Sequence, residues 1–147
     1  SVGKKLAEQL NLDFIDSDLL IEERYRKPLQ DILNKKGNHK FQQIEEDALL
    51  SVNFKQIVLA TGGSAVFCDE AMKYIKENFT VIYLEVPFED ISARISNFSD
   101  RGLLKRSDQT IQEAYKEREG LYQQYADFIV KNDGVIESCL TKILTLF

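Results

Sequence analysis

Residues 10–25, LNLDFIDSDLLIEERY, decide the reading of this chain. The run Leu12-Asp13-Phe14-Ile15 has the length and apolar content of a short buried strand. It ends in two carboxylates one residue apart, Asp16 and Asp18, and helical spacing runs from Ser17 to Tyr25. Strand followed directly by helix is the repeating unit of an α/β domain. In such domains ligands gather at the carboxyl ends of parallel strands. Two acids at that position call for a ligand, or for a helix that needs capping.

The rest of the chain repeats the alternation. Upstream, Val2, Leu6 and Leu10 share one face of a helix. Downstream, Pro28 suits a helix first turn, with Leu29, Ile32 and Leu33 as its apolar face. Gly37 stops that helix, and Asn38 can cap the next, which carries Phe41, Ile44, Ala48 and Leu49 to about Ser51. QIVLA, residues 56–60, reads as a strand covered on both faces, and it runs into TGGSAV, residues 61–66. Asp69 can cap a helix to Asn78; TVIYLEV, residues 80–86, is the strongest strand signal. Pro87 opens a further helix to about Asn97, and residues 97–109 are polar and basic without a period. A long helix over 110–126, a strand DFIVK over 127–131 and a terminal helix over 135–147 complete the pattern. Four strands alternating with helices predict an α/β fold with a mostly parallel sheet. No repeat, linker or low-complexity stretch interrupts it, so residues 1–147 read as a single domain.

The chain has 147 residues, a hydrophobic fraction of 44% and a formal net charge of −5. That length and composition fit one domain with a real core. The charge argues against wholesale binding of nucleic acid or an anionic membrane. Cys68 and Cys139 are far apart, His39 is the sole histidine, and no metal-ligand spacing occurs. Reduced, structural thiols are the expectation. No apolar run is long enough to span a bilayer. The expectation is a cytoplasmic protein, and a monomer.

The opening SVGKKLAEQL looks like the tail of a phosphate-binding G-x-x-x-x-G-K-[ST] loop and the helix behind it. Taken alone, Ser1 is no more than a helix cap. Four further segments stand in order behind it: ATGGSAV (60–66), VIYLEV (81–86), ARISNFSDRGLL (93–104) and EREGLYQQYAD (117–127). Together with SVGKKLAEQLNLDFIDSD (1–18), the series resembles the shikimate kinase family of small P-loop kinases. The resemblance runs along nearly the whole chain. It implies a three-layer P-loop kinase fold, like that of nucleoside monophosphate kinases, with a parallel sheet flanked by helices. In its register the family's phosphate lysine and magnesium-binding hydroxyl fall before Ser1. The first, central strand falls there too, so roughly ten to twenty residues are expected upstream. A sheet without that strand has two open edges.

The same resemblance assigns roles. Asp18 becomes the acceptor-binding carboxylate and candidate general base, and Asp16 lies nearer to Mg2+, directly or through water. One of the two could instead cap the helix at Ser17. Gly62 and Gly63 let the backbone approach the substrate, or simply form a tight turn. Arg118 matches an arginine that grips a substrate carboxylate, the competing reading being a solvated helix face. Arg101, in a lid over 97–109, would stabilise charge on the transferring phosphate; Arg94 would lie near the adenine of ATP. Lys105, Arg106 and His39 are expected to be solvated, and Tyr115, Tyr122 and Tyr125 to serve packing.

One departure from the family bears on the acceptor. The pattern G-E-x-x-F-R-x-x-E reads GNHKFQQIE over 37–45, placing Gln42 where the family has a second carboxylate-binding arginine. The third loop glycine is Ser64, and R-P-L-L is Arg101-Gly102-Leu103-Leu104. The expected activity is ATP-dependent phosphorylation of a small polyhydroxy acid, shikimate first. The acceptor-binding helices lie at about 17–51. The alternatives are a different hydroxylated acceptor, or a regulatory module that binds nucleotide without catalysis.

Overall fold

The computed structural model describes residues 2–53, 55–86, 111–132 and 134–147. The predicted helix between Pro87 and Asn97 and the predicted lid over 97–109 lie outside them. Helix α1 (Val2–Leu10) turns Leu6 and Ala7 inward, and the chain reverses at Asn11 (φ 56°) into strand β1 (Asp13–Asp16). Helix α2 (Ser17–Tyr25) follows without a loop. Pro28 takes an extended conformation (φ −60°, ψ 150°) just ahead of α3 (Leu29–Leu50) instead of entering its first turn. Gly37 breaks α3 with φ 82° and ψ 167°, left-handed backbone that a side chain would strain. The stop expected at Gly37 is thus a kink between two helical segments.

Strand β2 (Ile57–Ala60), a 3₁₀ turn (Ala65–Phe67) and helix α4 (Asp69–Asn78) come next. Asp69 opens α4 without capping it, since Cys68 holds the cap position. Strand β3 (Ile82–Glu85), helix α5 (Ile111–Tyr125), strand β4 (Phe128–Lys131) and helix α6 (Ile136–Leu144) complete the described chain.

All pairing among the described strands is parallel, as the alternation requires. β1 lies against β2, with Asp13 opposite Ile57 and Asp16 opposite Ala60; β3 lies against β4, with Ile82 opposite Phe128 and Glu85 opposite Lys131. The two pairs are separate. Residues 57–60 of β2 and 82–84 of β3 both line a cavity of about 840 Å³. Facing that cavity, β2 and β3 have no strand partner among the described residues, which is why Ile57–Ala60 is only half-buried, although the apolar run predicted cover on both faces. A strand with an open edge beside a cavity leaves part of every side chain accessible.

Helices supply most of the packing. One core group joins Leu49 of α3, Ala65, Val66 and Cys68 near the 3₁₀ turn, and Ala71, Met72 and Ile75 of α4. A second joins Leu6, Val130, Cys139, Leu140 and Ile143, and a third joins Ile21, Ile32, Leu33, Phe41 and Ala48. Both cysteines are buried, and neither forms a disulfide in the described structure. No helix among the described residues is long and apolar enough to cross a membrane.

Candidate active site

The register of β1 on β2 sets the site. Asp16 and Ala60 are opposite each other at the strand ends, so Asp18 and Gly62 each lie two residues further on. Asp16 is the N-cap of α2, its Oδ1 accepting from the Asp18 backbone N–H at 2.9 Å. One of the two acids therefore caps the helix, and it is Asp16. The Asp18 side chain turns instead toward the β2 loop. A Cβ on Gly62 would meet Asp18 Oδ1 at 2.6 Å. Ala65 N–H closes a turn on the Gly62 carbonyl, but neither Gly62 nor Gly63 has a positive φ, so the turn does not require glycine and the lack of a side chain serves close approach.

Gly63 is pressed from the other side by α5. A Cβ there would lie 2.8 Å from Arg118 Nη1 and 3.1 Å from Tyr122 Oη. Arg118 and Tyr122 are four residues apart and so share a helix face. Tyr122 Oη donates to the Gly63 carbonyl at 2.6 Å, and Tyr83 of β3 stacks on its ring at 4.8 Å. The Arg118 guanidinium lies 5.7 Å above the Phe67 ring, and its Nε and Nη2 are buried with no hydrogen-bond partner among the described residues. Arg118 thus turns inward and is not a solvated face.

Helix α3 contributes the third wall. Glu45 is 1% exposed; its Oε1 accepts from Ser64 Oγ at 2.7 Å, and its Oε2 has no partner among the described residues. Gln42, one turn earlier, donates Nε2 to the Phe67 carbonyl at 3.0 Å. Asp18, Glu45 and Arg118 are the charged residues lining the cavity among those described.

Burial governs the ionisation here. It pushes the Asp18 carboxyl up to about 6, with Asp16 and Glu22 adding repulsion. It pushes Glu45 up to about 7; the Ser64 hydroxyl and Arg118 oppose this, and Asp18 adds to it. Burial lowers Arg118 from its ordinary value, partly offset by Tyr122 and by Glu45. The Glu45 shift gives a stability prediction. The group ordinarily ionises near 4.5, so its contribution is full below that pH and lost as pH rises through about 7. Glu45→Gln keeps the shape and an oxygen for Ser64. It should stabilise the fold by roughly 1–3 kcal/mol at pH 8 and leave it unchanged at pH 4, read by thermal unfolding.

Of the predicted residues, Asp18 meets Gly62 and Arg118 meets the adjacent Gly63, so the four flank one loop. Arg94 and Arg101 lie outside the described residues, as do Lys105 and Arg106. His39 is exposed, as expected. Tyr122 packs against the core group around α4, as expected, and its hydroxyl in addition holds the loop. Glu45 and Ser64 were not singled out as site residues. A carboxylate on the otherwise apolar stripe of Phe41, Ala48 and Leu49 was the signal for Glu45. No cluster of three or more metal-ligating side chains occurs among the described residues. An acid or two at a strand end suits Mg2+ that arrives with phosphates and keeps waters, a cation that seldom takes an all-protein cage.

Gly62→Ala should displace the tip of Asp18 more than it disturbs the fold. Stability should change by less than about 1 kcal/mol, while turnover falls roughly tenfold to a hundredfold through misplacement of the carboxylate. Thermal unfolding and initial rates on the same sample separate the two effects.

Parallel strands flanked by helices, with an acid, a glycine loop and an inward arginine at their carboxyl ends, define the class: a small-molecule kinase with the P-loop kinase fold. Solved structures agree. A shikimate kinase from Aquifex aeolicus superimposes with a TM-score of 0.84 at 32% identity, covering 98% of this chain and 86% of that one. The shikimate kinase from Acinetobacter baumannii, in complex with shikimate, gives 0.86 at 33% identity, covering 99% and 83%. In sequence, a shikimate kinase from Persephonella marina is 36% identical over 135 residues, 91% of this chain and 82% of the relative. One from Sulfurihydrogenibium is 34% identical over 149 residues, 97% and 89% of the two chains. The family described as Shikimate kinase matches residues 1–146. The chain belongs to the shikimate kinase family.

Proposed function

We propose that this protein transfers the γ-phosphoryl group of ATP to a hydroxyl of shikimate, giving shikimate 3-phosphate. The observation that carries this reading is the placement of Asp18 against Gly62, with Arg118 beside Gly63 on the same loop. Asp18 orients the acceptor hydroxyl and takes its proton as the new bond forms. Its burial favours this, since a carboxylate held near 6 is a better proton acceptor than an exposed one. Arg118 offers buried N–H groups, without a partner among the described residues, to the acceptor's carboxylate. Tyr122 fixes the loop between them. Transfer is direct and in line, without a covalent enzyme intermediate. Mg2+, bound with ATP and held on the protein side by Asp16, would neutralise phosphate charge. Arg101 in the lid and Arg94 near the adenine complete the assignment, by sequence resemblance. Residues 1–147 act as one kinase domain, in a cytoplasmic monomer.

Gln42 favours a second reading, an acceptor other than shikimate. Its amide is tied to the Phe67 carbonyl and carries no charge, so Arg118 is the one cation among the described residues of the cavity. Two measurements separate the readings. ADP release from magnesium-ATP should be stimulated by shikimate at low concentration; stimulation by other polyhydroxy compounds alone would favour the second. Gln42→Arg should lower the KM for shikimate about tenfold, the worth of one charge-assisted hydrogen bond. An unchanged KM would mean that residue 42 does not face the carboxylate.

A further inference from the structure

Among the described residues, the charges of the cavity do not suit an anionic acceptor as they stand. Two acids and one base line it among the described residues. With both acids ionised, the net charge around an incoming carboxylate is −1. One of the two must hold a proton for Arg118 to act as an unopposed cation. Asp18 is committed to the acceptor hydroxyl, which leaves Glu45. Its Oε2 is buried without a partner among the described residues, and its Oε1 is fixed by the Ser64 hydroxyl at 2.7 Å.

We propose that Ser64 is a positioning residue which, by holding Glu45, sets the pH above which the pocket rejects an anionic acceptor. The inference rests on the functional reading above, in that the acceptor carries a carboxylate. The charged and titratable groups that face Glu45 from the surrounding elements are Asp18 of α2, Arg118 and Tyr122 of α5, and Cys68 beside the 3₁₀ turn. Below its midpoint Glu45 is neutral and Arg118 is free to bind the carboxylate. Above it, the Glu45 charge cancels Arg118 and repels the acceptor. The Ser64 hydroxyl stabilises the charged form, so it draws this transition to lower pH than burial alone would set. A glycine at residue 64, as in the family pattern, cannot do so.

The test uses the full-length protein with glutamate side-chain carboxyls labelled with ¹³C. Glu45→Gln identifies the Glu45 resonance by its loss. The wild-type midpoint should lie near 7. It should rise by about one unit in Ser64→Ala and Ser64→Gly, since a hydrogen bond to a charged group is lost. Ser64→Thr, which keeps the hydroxyl, should hold the wild-type value. In parallel, the KM for shikimate should rise roughly tenfold across the wild-type midpoint. That rise should move upward with the Glu45 midpoint in the alanine and glycine variants, while kcat changes less than KM. A midpoint that is the same with and without the hydroxyl overturns the proposal, and so does a displaced midpoint with a KM that does not follow it. Absence of any shikimate turnover would instead overturn the functional reading. The Ser64–Glu45 coupling would then stand or fall on the titration.

Discussion

Asp18→Asn is expected to lower turnover roughly 10²- to 10⁴-fold, the range for loss of a positioned general base. The replacement is nearly isosteric, so the close fit of residue 18 against Gly62 is kept. The amide can still donate a hydrogen bond to the acceptor, but it cannot take a proton. Nucleotide affinity should stay within about threefold, because charge at residue 18 is directed to the acceptor side. Initial rates with magnesium-ATP and shikimate, beside nucleotide titration of the same protein, read both quantities. Wild-type turnover in the variant would remove Asp18 from the mechanism.

Arg118→Ala is the second large effect. It removes the cavity's one cation among the described residues, with the N–H groups that face the acceptor. One charge-assisted hydrogen bond is worth about 1.5–3 kcal/mol, so the KM for shikimate should rise at least roughly tenfold to a hundredfold. The loss should exceed that of Arg118→Lys, which keeps a charge but not the planar fork or its stacking on Phe67. The KM for ATP should not follow. Equal losses for both substrates would mean that Arg118 supports the fold and not the acceptor.

Much of the architecture was legible in the sequence because local rules and tertiary packing agree there. The helix from Ser17 to Tyr25 is found as predicted, and Gly37 marks a real break. The parallel pairing follows from alternation alone. Strand ends moved inward, as at Thr80–Val86, where only Ile82–Glu85 is strand. Pairing with one neighbour sets that length, and apolar content does not. At the site, the resemblance separates Asp18, on the acceptor side, from Asp16, nearer to Mg2+, but leaves open which of the two caps the helix. Geometry decides it, because the N-cap position takes Asp16 and turns Asp18 toward Gly62. Tyr122, Ser64 and Glu45 were harder to read. Their roles depend on contacts 59 and 19 residues apart in the chain, which no local pattern encodes.

The most direct test of the account is the ³¹P spectrum of the full-length protein turning over magnesium-ATP with shikimate. The account predicts a phosphomonoester resonance on the acceptor that grows in step with ADP, is absent without shikimate and is lost in Asp18→Asn. ADP accumulating with inorganic phosphate and no phosphomonoester would contradict it.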